Sequence, residues 1–283
     1  MGSGFSFFSP PPTPAPGTNL GDLPESCVAA ILENMPPQQI CKLAVLSKAF
    51  QGASSADFVW KSKLPVNYKE IFMRLFGDFD DGLCKKDLYA VLCRPNCFDG
   101  DHKKAWLDKT SGKMCLAISS NGLSITGIDD RRYWNRISTD ESRFGTIAYL
   151  QQTWWFEVSG EVEFPLPAGT YSLFFRLQLG KSTKRFGRRV CNSQNVHGWD
   201  IKPVQFQLST SENQNLRTTS SYLCEPGNWN YYHGGDFVVE NSGKPAKIKF
   251  SMMQIDCTHN KGGLSVDSLL IYPAEFRERL KRF

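Results

Sequence analysis

No apolar stretch in this sequence approaches the roughly 18–20 residues that cross a bilayer as a helix. The N-terminus lacks the basic start and continuous apolar run of a secretory signal. Histidine is scarce: His102, His197, His233 and His259 are all there are, none beside a recognisable nucleophile, and no Gly-x-Ser-x-Gly elbow occurs. Hydrolase chemistry therefore has little to build on. The net charge of +5 is small for 283 residues and argues only weakly for a polyanionic partner. Without a secretory signal, an odd count of nine cysteines reads as reduced thiols and not as a disulfide framework. What is present is globular. Hydrophobic residues at 41% and charged residues at 22% exclude wholesale disorder, and the length suits two domains, or one large one.

Along the chain the pattern changes three times. Residues 1–19 form a Pro-, Ser- and Gly-rich tail that builds no core. Its start, Met1-Gly2-Ser3-Gly4-Phe5-Ser6, fits the N-myristoylation pattern at Gly2. Residues 20–65 carry apolar positions at helical spacing: Val28, Ile31 and Leu32, then Ile40, Leu43, Ala44 and Leu46, then a third short segment around Asp57, Phe58 and Trp60. Three short helices make a thin core, which such a unit completes by docking on a partner. Residues 66–102 read as a helical connector, with Tyr68, Ile71, Phe72, Leu75 and Phe76 on one face. From 103 to 274 short β-branched and aromatic runs alternate with Gly, Pro, Asn and Asp, which predicts an antiparallel sandwich or jelly roll. Residues 275–283 are a short charged tail.

Four chemical motifs were weighed. Gly180-Lys181-Ser182 resembles the end of a phosphate loop, but Phe175 stands where the first glycine belongs. The acidic run Asp78–Gly82 fails as a calcium loop: with Gly82 sixth, Gly77, Phe79 and Leu88 would occupy ligand positions. Cys93, Cys97 and His102 lie close together, but only one Cys-x₃-Cys pair is present, so buried thiols are preferred to zinc. No metal and no cofactor is expected. The basic cluster Lys181, Lys184, Arg185, Arg188 and Arg189 is either a nuclear-import or polyanion patch or a solvated loop.

The aromatic residues punctuate the β region as Tyr133-Trp134, Trp154-Trp155, Trp199 and Trp229-Asn230-Tyr231-Tyr232. Trp and Tyr in a sandwich are mostly core. Trp134, flanked by Asp129, Asp130, Arg131, Arg132, Asn135 and Arg136, is the best candidate for an exposed stacking platform, whereas Trp155 in the strand-like WWFEV run is expected in the core.

Two resemblances follow from these residues. Leu23-Pro24, Ile31-Leu32, Met35-Pro36, Ile40, Leu43, Leu46-Ser47, Phe50 and the closing Asp57-Phe58-Val59-Trp60 resemble an F-box. The resemblance implies docking on a Skp-type adaptor within a cullin-based ubiquitin ligase, with Leu23, Pro24, Ile31, Leu32, Met35, Pro36, Leu43 and Trp60 as adaptor anchors. The second covers 103–273. Trp106-Leu107-Asp108-Lys109, Leu123-Ser124-Ile125-Thr126, Tyr133-Trp134, Trp155-Phe156-Glu157-Val158, Gly169-Thr170-Tyr171, Gly198-Trp199 and Gly262-Gly263-Leu264 are similar to the plant phloem-protein-2 type lectin domain, also called Nictaba-like. It implies a carbohydrate site at Tyr133 and Trp134. Two departures stand against glycan binding: Gly127 and Asn260 occupy positions that are Trp in the lectin prototype.

The expected fold is therefore α+β multidomain, a small N-terminal helical F-box followed by an antiparallel β-sandwich, jelly-roll-like domain. The expected function is a non-catalytic substrate-recognition subunit of a Skp–cullin–F-box ubiquitin ligase. Its partners are the adaptor and a protein or glycoprotein target, with neither nucleic acid nor a transmembrane segment involved. A carbohydrate-binding lectin acting without ligase assembly is the alternative. The expected location is intracellular, in nucleus or cytoplasm.

Overall fold

The computed structural model describes residues 23–185, 188–212 and 215–280, without the side chains of 182–185 and 188–190. The chain divides after Ser62 into two compact units.

The first unit holds four short helices: α1 (Glu25–Glu33), α2 (Pro37–Leu43), α3 (Lys48–Ala53) and α4 (Asp57–Lys61). Sequence spacing predicts three. The fourth arises because Ser47 caps a helix of its own, its Oγ accepting a hydrogen bond from Phe50 N at 3.3 Å. Pro24 opens α1, its carbonyl accepting from Cys27 N and Val28 N, and Pro37 opens α2 at a position where a missing N–H costs nothing. The buried residues are Val28, Ala29, Leu32, Ile40, Phe50, Ala53, Val59 and Trp60.

The second unit begins with α5 (Tyr68–Phe76) and α6 (Lys85–Leu92). These connector helices join the β structure. Asn67, fully enclosed, donates to the Pro165 and Ser242 carbonyls at 3.1 and 2.9 Å, and Arg74 pairs with Asp99 at 2.7 Å. Fifteen strands follow: β1 (Asn96–Phe98), β2 (Lys103–Leu107), β3 (Met114–Ser119), β4 (Ser124–Ile125), β5 (Trp134–Ser138), β6 (Thr146–Leu150), β7 (Phe156–Phe164), β8 (Gly169–Leu179), β9 (Lys181–Arg185), β10 (Arg188–Asn192), β11 (Val204–Thr210), β12 (Arg217–Ser221), β13 (Trp229–Val239), β14 (Ala246–Gln254) and β15 (Leu264–Pro273).

They form an eight-stranded sheet, a five-stranded sheet ordered β12-β11-β14-β7-β4, and a separate β9–β10 hairpin. Every described ladder is antiparallel, as the turn-punctuated sequence predicts. The last strand, β15, is the middle of the large sheet. It pairs with β8 along one edge, and with β6 and then β3 along the other. Buried on both faces, β15 reads as a nearly continuous apolar run broken by Ser265, Asp267 and Ser268.

In the five-stranded sheet the burial of β11 and β14 alternates with period two. Phe206 and Phe250 point inward to meet Phe175 of β8, with ring centroids 5.4 and 6.4 Å away. The opposite face of the large sheet carries Cys115, Ala117, Phe174, Leu270 and Tyr272, covered in part by Phe276 and Leu280 of the C-terminal turns, which end in α7 (Arg277–Leu280). Burial there pushes the Cys115 thiol well above its ordinary value, so this cysteine is an inert packing group.

Candidate functional site

Two exposed apolar surfaces stand out, one on each unit. On the helical unit, Val45 is 83% exposed and Leu46 67%, and Leu23, Ile31 and Phe58 also lie at the surface. Val45 and Leu46 sit in the turn between α2 and α3, held by Leu46 N donating to Leu43 O at 3.0 Å. The roughly forty described residues of this unit bury eight apolar side chains and leave five large ones at the surface.

The sequence-predicted anchors divide over this geometry. Leu23, Pro24, Ile31 and Pro36 are exposed, and Met35 and Leu43 are half-buried. Leu32 and Trp60 are buried inside the unit, and Trp60 Nε1 donates to Ser54 O at 2.6 Å. The reason is the thin core itself. With so few residues the unit spends its largest side chain on its own packing. Val45, Leu46 and Phe58 are exposed as well and were not among the residues expected at the adaptor contact. Their signal was an apolar pair directly before the Ser47 cap, off the face that Ile40 buries.

On the β unit the expectations for the tryptophans reverse. Trp134 is 2% exposed. It stacks on Phe156 with centroids 6.4 Å apart and planes at 27°, Phe156 meets Trp199 edge-on at 5.0 Å, and Trp134 Nε1 donates to Thr126 O at 3.1 Å. Its polar neighbours misled because Arg131 and Arg132 precede the strand while Trp134 opens β5 pointing inward. Tyr133 is half-buried beneath the Arg132 guanidinium, 5.5 Å from the ring centroid. Gly127 takes a left-handed φ of 77°, and a Cβ there would lie 3.7 Å from the Tyr133 ring.

Trp154 and Trp155 are 54% and 44% exposed. The run from Trp154 was expected to be strand, with Trp155 in the core, but β7 starts two residues later, at Phe156. Trp155 is outward-facing on the same pleat as Glu157, whose Oε2 accepts from Trp155 Nε1 at 3.0 Å. Both indoles stand on a fixed backbone. Thr153 and Lys261 exchange two backbone hydrogen bonds at 2.8 and 2.9 Å. Lys261 is wholly buried, and its Nζ donates to Trp154 O at 2.9 Å and Gln254 O at 3.1 Å. Burial pulls its ammonium pKa down, opposed by the Asp256 carboxylate. Asp256 itself is held at about 2 by its bond to Lys202. Gly198 allows this close packing: at φ 84° a Cβ would run into the Asn260 carbonyl. Asn260 Nδ2 lies 3.5 Å from Gln152 Oε1, so amides border the indole pair.

The remaining motifs resolve simply. All nine cysteines are free, and among the described residues no group of three or more His, Cys, Asp or Glu is arranged to hold a metal. Cys93 is half-buried, and burial raises its thiol pKa, while Cys97 is exposed. Gly2 lies outside the described residues, as do the side chains of Lys184, Arg185, Arg188 and Arg189.

Comparison with known proteins follows the same division. The family model of the F-box domain matches residues 20–62, and that of Phloem protein 2 matches 113–273. The chain is 60% identical over 265 residues to F-box protein PP2-A12 of Arabidopsis thaliana, covering 93% of this chain and 91% of that one. It is 56% identical to F-box protein PP2-A11 of the same plant over 287 residues, covering 99% of each, and 58% identical to F-box protein PP2-A13 over 257 residues, covering 90% and 89%. With both domain models matched and these relatives aligned almost end to end, the chain belongs to the plant F-box proteins that carry a phloem protein 2 domain.

Proposed function

We propose that the protein is the substrate receptor of a Skp–cullin–F-box ubiquitin ligase. The helical unit grips the adaptor and the β unit holds the target, without transfer chemistry of its own. Catalysis by proximity suffices, since tethering raises the effective concentration of target lysines near the charged conjugating enzyme. The observation that carries this reading is the exposed set Leu23, Ile31, Val45, Leu46 and Phe58 on a unit whose core is already satisfied by other residues. Work of this kind takes place in the cytoplasm or nucleus, where nine free thiols stay reduced.

Capture of the full chain by an immobilised Skp-type adaptor tests it. Ile31→Asp with Leu46→Asp should reduce capture by at least about a hundredfold, because two carboxylates would be desolvated at the contact. Leu23→Ala with Pro24→Ala should weaken it less. Undiminished capture by a folded Asp variant would remove the docking assignment.

A second reading is supported by one observation, the pair of exposed indoles at Trp154 and Trp155 bordered by Gln152 and Asn260. Aromatic rings stack on sugar faces while amides bond the hydroxyls, so a glycan on the target would seat there and not on the buried Trp134. On a glycan array, Trp154→Ala and Trp155→Ala should each cost about tenfold in affinity. A folded wild-type chain that binds no glycan would leave only protein recognition.

A further inference from the structure

The two sheets end in β1, β4, β5, β12 and β13. A sheet edge carries backbone N–H and C=O groups that pair with whatever strand arrives. Most of these edges offer little. β1 and β4 are three and two residues long. β12 lies against β13: Arg217 Nη1 donates to Asp236 O at 2.7 Å, and Thr219 Oγ1 lies 3.5 Å from Gly234 O. β5, with five residues, is the long edge left over among the described strands of both sheets.

The ladder fixes what that edge presents. Tyr133 O accepts from Gln151 N at 2.7 Å, and Thr139 N donates to Gly145 O at 2.9 Å. In an antiparallel pair every second residue bonds the neighbouring strand, and the residues between turn their N–H and C=O away from it. Asn135 and Ile137 therefore bond β6, while Arg136 and Ser138 aim both backbone groups outward. Both residues are exposed, and these groups have no partner among the described residues. Trp134 N is already taken up, donating to Asp130 O at 3.0 Å. The edge is held firmly. Trp134 is buried at its start, and the Thr139–Gly145 bond closes the turn into β6 at its end. Arg136 carries the only charge on the strand. Its Nη1 donates to Asn121 Oδ1, and no carboxylate pairs with it among the described residues. Ile137, half-buried, lies on the other face of the strand.

We infer that the β5 edge docks an extended segment of a target protein, which adds as a further strand with a carboxylate opposite Arg136 and an apolar residue opposite Ile137. Strand addition supplies the backbone hydrogen bonds, and the side chains that alternate along β5 supply the selectivity. The outward amides require a polypeptide backbone, since a glycan has none to pair in register. A carboxylate directly across from Arg136 is stabilising, and a cation there is destabilising. The same rule disfavours a second copy of this chain: two copies pairing through the middle of β5 would set Arg136 against Arg136. The inference rests on the receptor reading only in taking this segment as part of a target.

A fluorescein-labelled nine-residue peptide, alternating threonine and valine about a central glutamate, tests it by anisotropy on the full chain. Saturable binding is expected. Hydrogen exchange should slow on binding at the Arg136 and Ser138 amides, and change little at Asn135 and Ile137, which already bond β6. A lysine in place of the central glutamate should weaken binding about three- to tenfold, and Arg136→Glu should invert that preference. Ser138→Pro removes an outward N–H that β6 does not use, and should weaken binding about tenfold. Should that variant fold poorly, N-methylation of alternate peptide amides asks the same question from the other side, and should abolish binding with the charge kept. Four results overturn the inference: no saturable binding, a glutamate preference that survives Arg136→Glu, binding by the N-methylated peptide, or protection at other amides in place of these two. Protection of Arg136 and Ser138 that grows with the concentration of the free chain would overturn it too, by assigning the edge to a second copy. Adaptor capture by Arg136→Glu should equal that of the wild type. Failure of the wild type to be captured would strike the receptor reading and leave the peptide result standing.

Discussion

Lys261→Met is expected to destabilise the β unit by about 2–4 kcal/mol, read by urea unfolding. The methionine keeps most of the apolar stem and removes the donor. Trp154 O and Gln254 O then lose their partner in the interior, and an unpaired buried carbonyl costs about 1–3 kcal/mol. Release from the cost of burying an ammonium offsets part of this, which keeps the total below the sum of two such losses. The pH dependence follows from the lowered pKa of Lys261. The folded chain gives up this proton below 10.5, the unfolded chain near 10.5. Between those points the unfolded chain binds more protons, so stability rises with pH there and is unaffected below. The gap between wild type and Lys261→Met should therefore widen as pH climbs through the window below 10.5. A gap of zero, or one that closes on alkalinisation, would show that Lys261 pins nothing. The same variant should loosen the Trp154–Trp155 segment, seen as faster amide exchange at Thr153.

Arg176→Leu should cost about 3–5 kcal/mol, the penalty for leaving one partner of a buried ion pair alone. Arg176 Nη1 donates to Asp267 Oδ2 at 2.8 Å and to Glu141 O at 3.0 Å, and its guanidinium lies 4.4 Å from the Trp229 ring centroid. Trp229 Nε1 in turn donates to Glu141 Oε2 at 2.8 Å. Asp267 falls at the break in register between Val266 and Ser268, and its other oxygen has no hydrogen-bond partner among the described residues. Removing Arg176 leaves the Asp267 carboxylate in the middle of the large sheet without a counter-charge, with the Ser268 hydroxyl still donating to Oδ2 at 2.7 Å. Arg176→Leu with Asp267→Leu should recover much of the loss, since an apolar pair needs no desolvation. If the double variant is no more stable than the single one, the cost lies in packing against Trp229 and not in charge.

The sequence reveals both domains because their signals are local. Proline marks the helix starts at Pro24 and Pro37, period-two runs mark β11 and β14, and nearly continuous apolar runs mark β8 and β15. The side on which an aromatic falls is harder to read. Trp134 opens β5 facing inward, whereas Trp155 lies just before β7 on the side opposite the buried Phe156, and the spacing of aromatics does not say which side of the backbone meets the core. Polar neighbours are no guide at a strand's first residue, since the preceding loop is solvated whatever the strand does. The helical unit poses the same difficulty: spacing in a short helix does not say that Leu32 faces its own core while Ile31 stays at the surface. Lys261 was not singled out at all, because nothing in a lysine before Gly-Gly signals full burial.

The place of β15 sets an order on the life of the chain. The centre of the large sheet is its last strand, and β3, β6 and β8 have no middle until residue 273 is made. The helical unit ends at Ser62. During synthesis at about 5–20 residues per second, it leaves the ribosome many seconds before the β unit closes. A nascent chain thus exposes its helical unit while its β unit is still an incomplete set of strands. Those strand edges stay unpaired through that interval, open to pairing with other chains. Truncation anywhere before Leu264 would leave the β unit in that state permanently, with the helical unit intact.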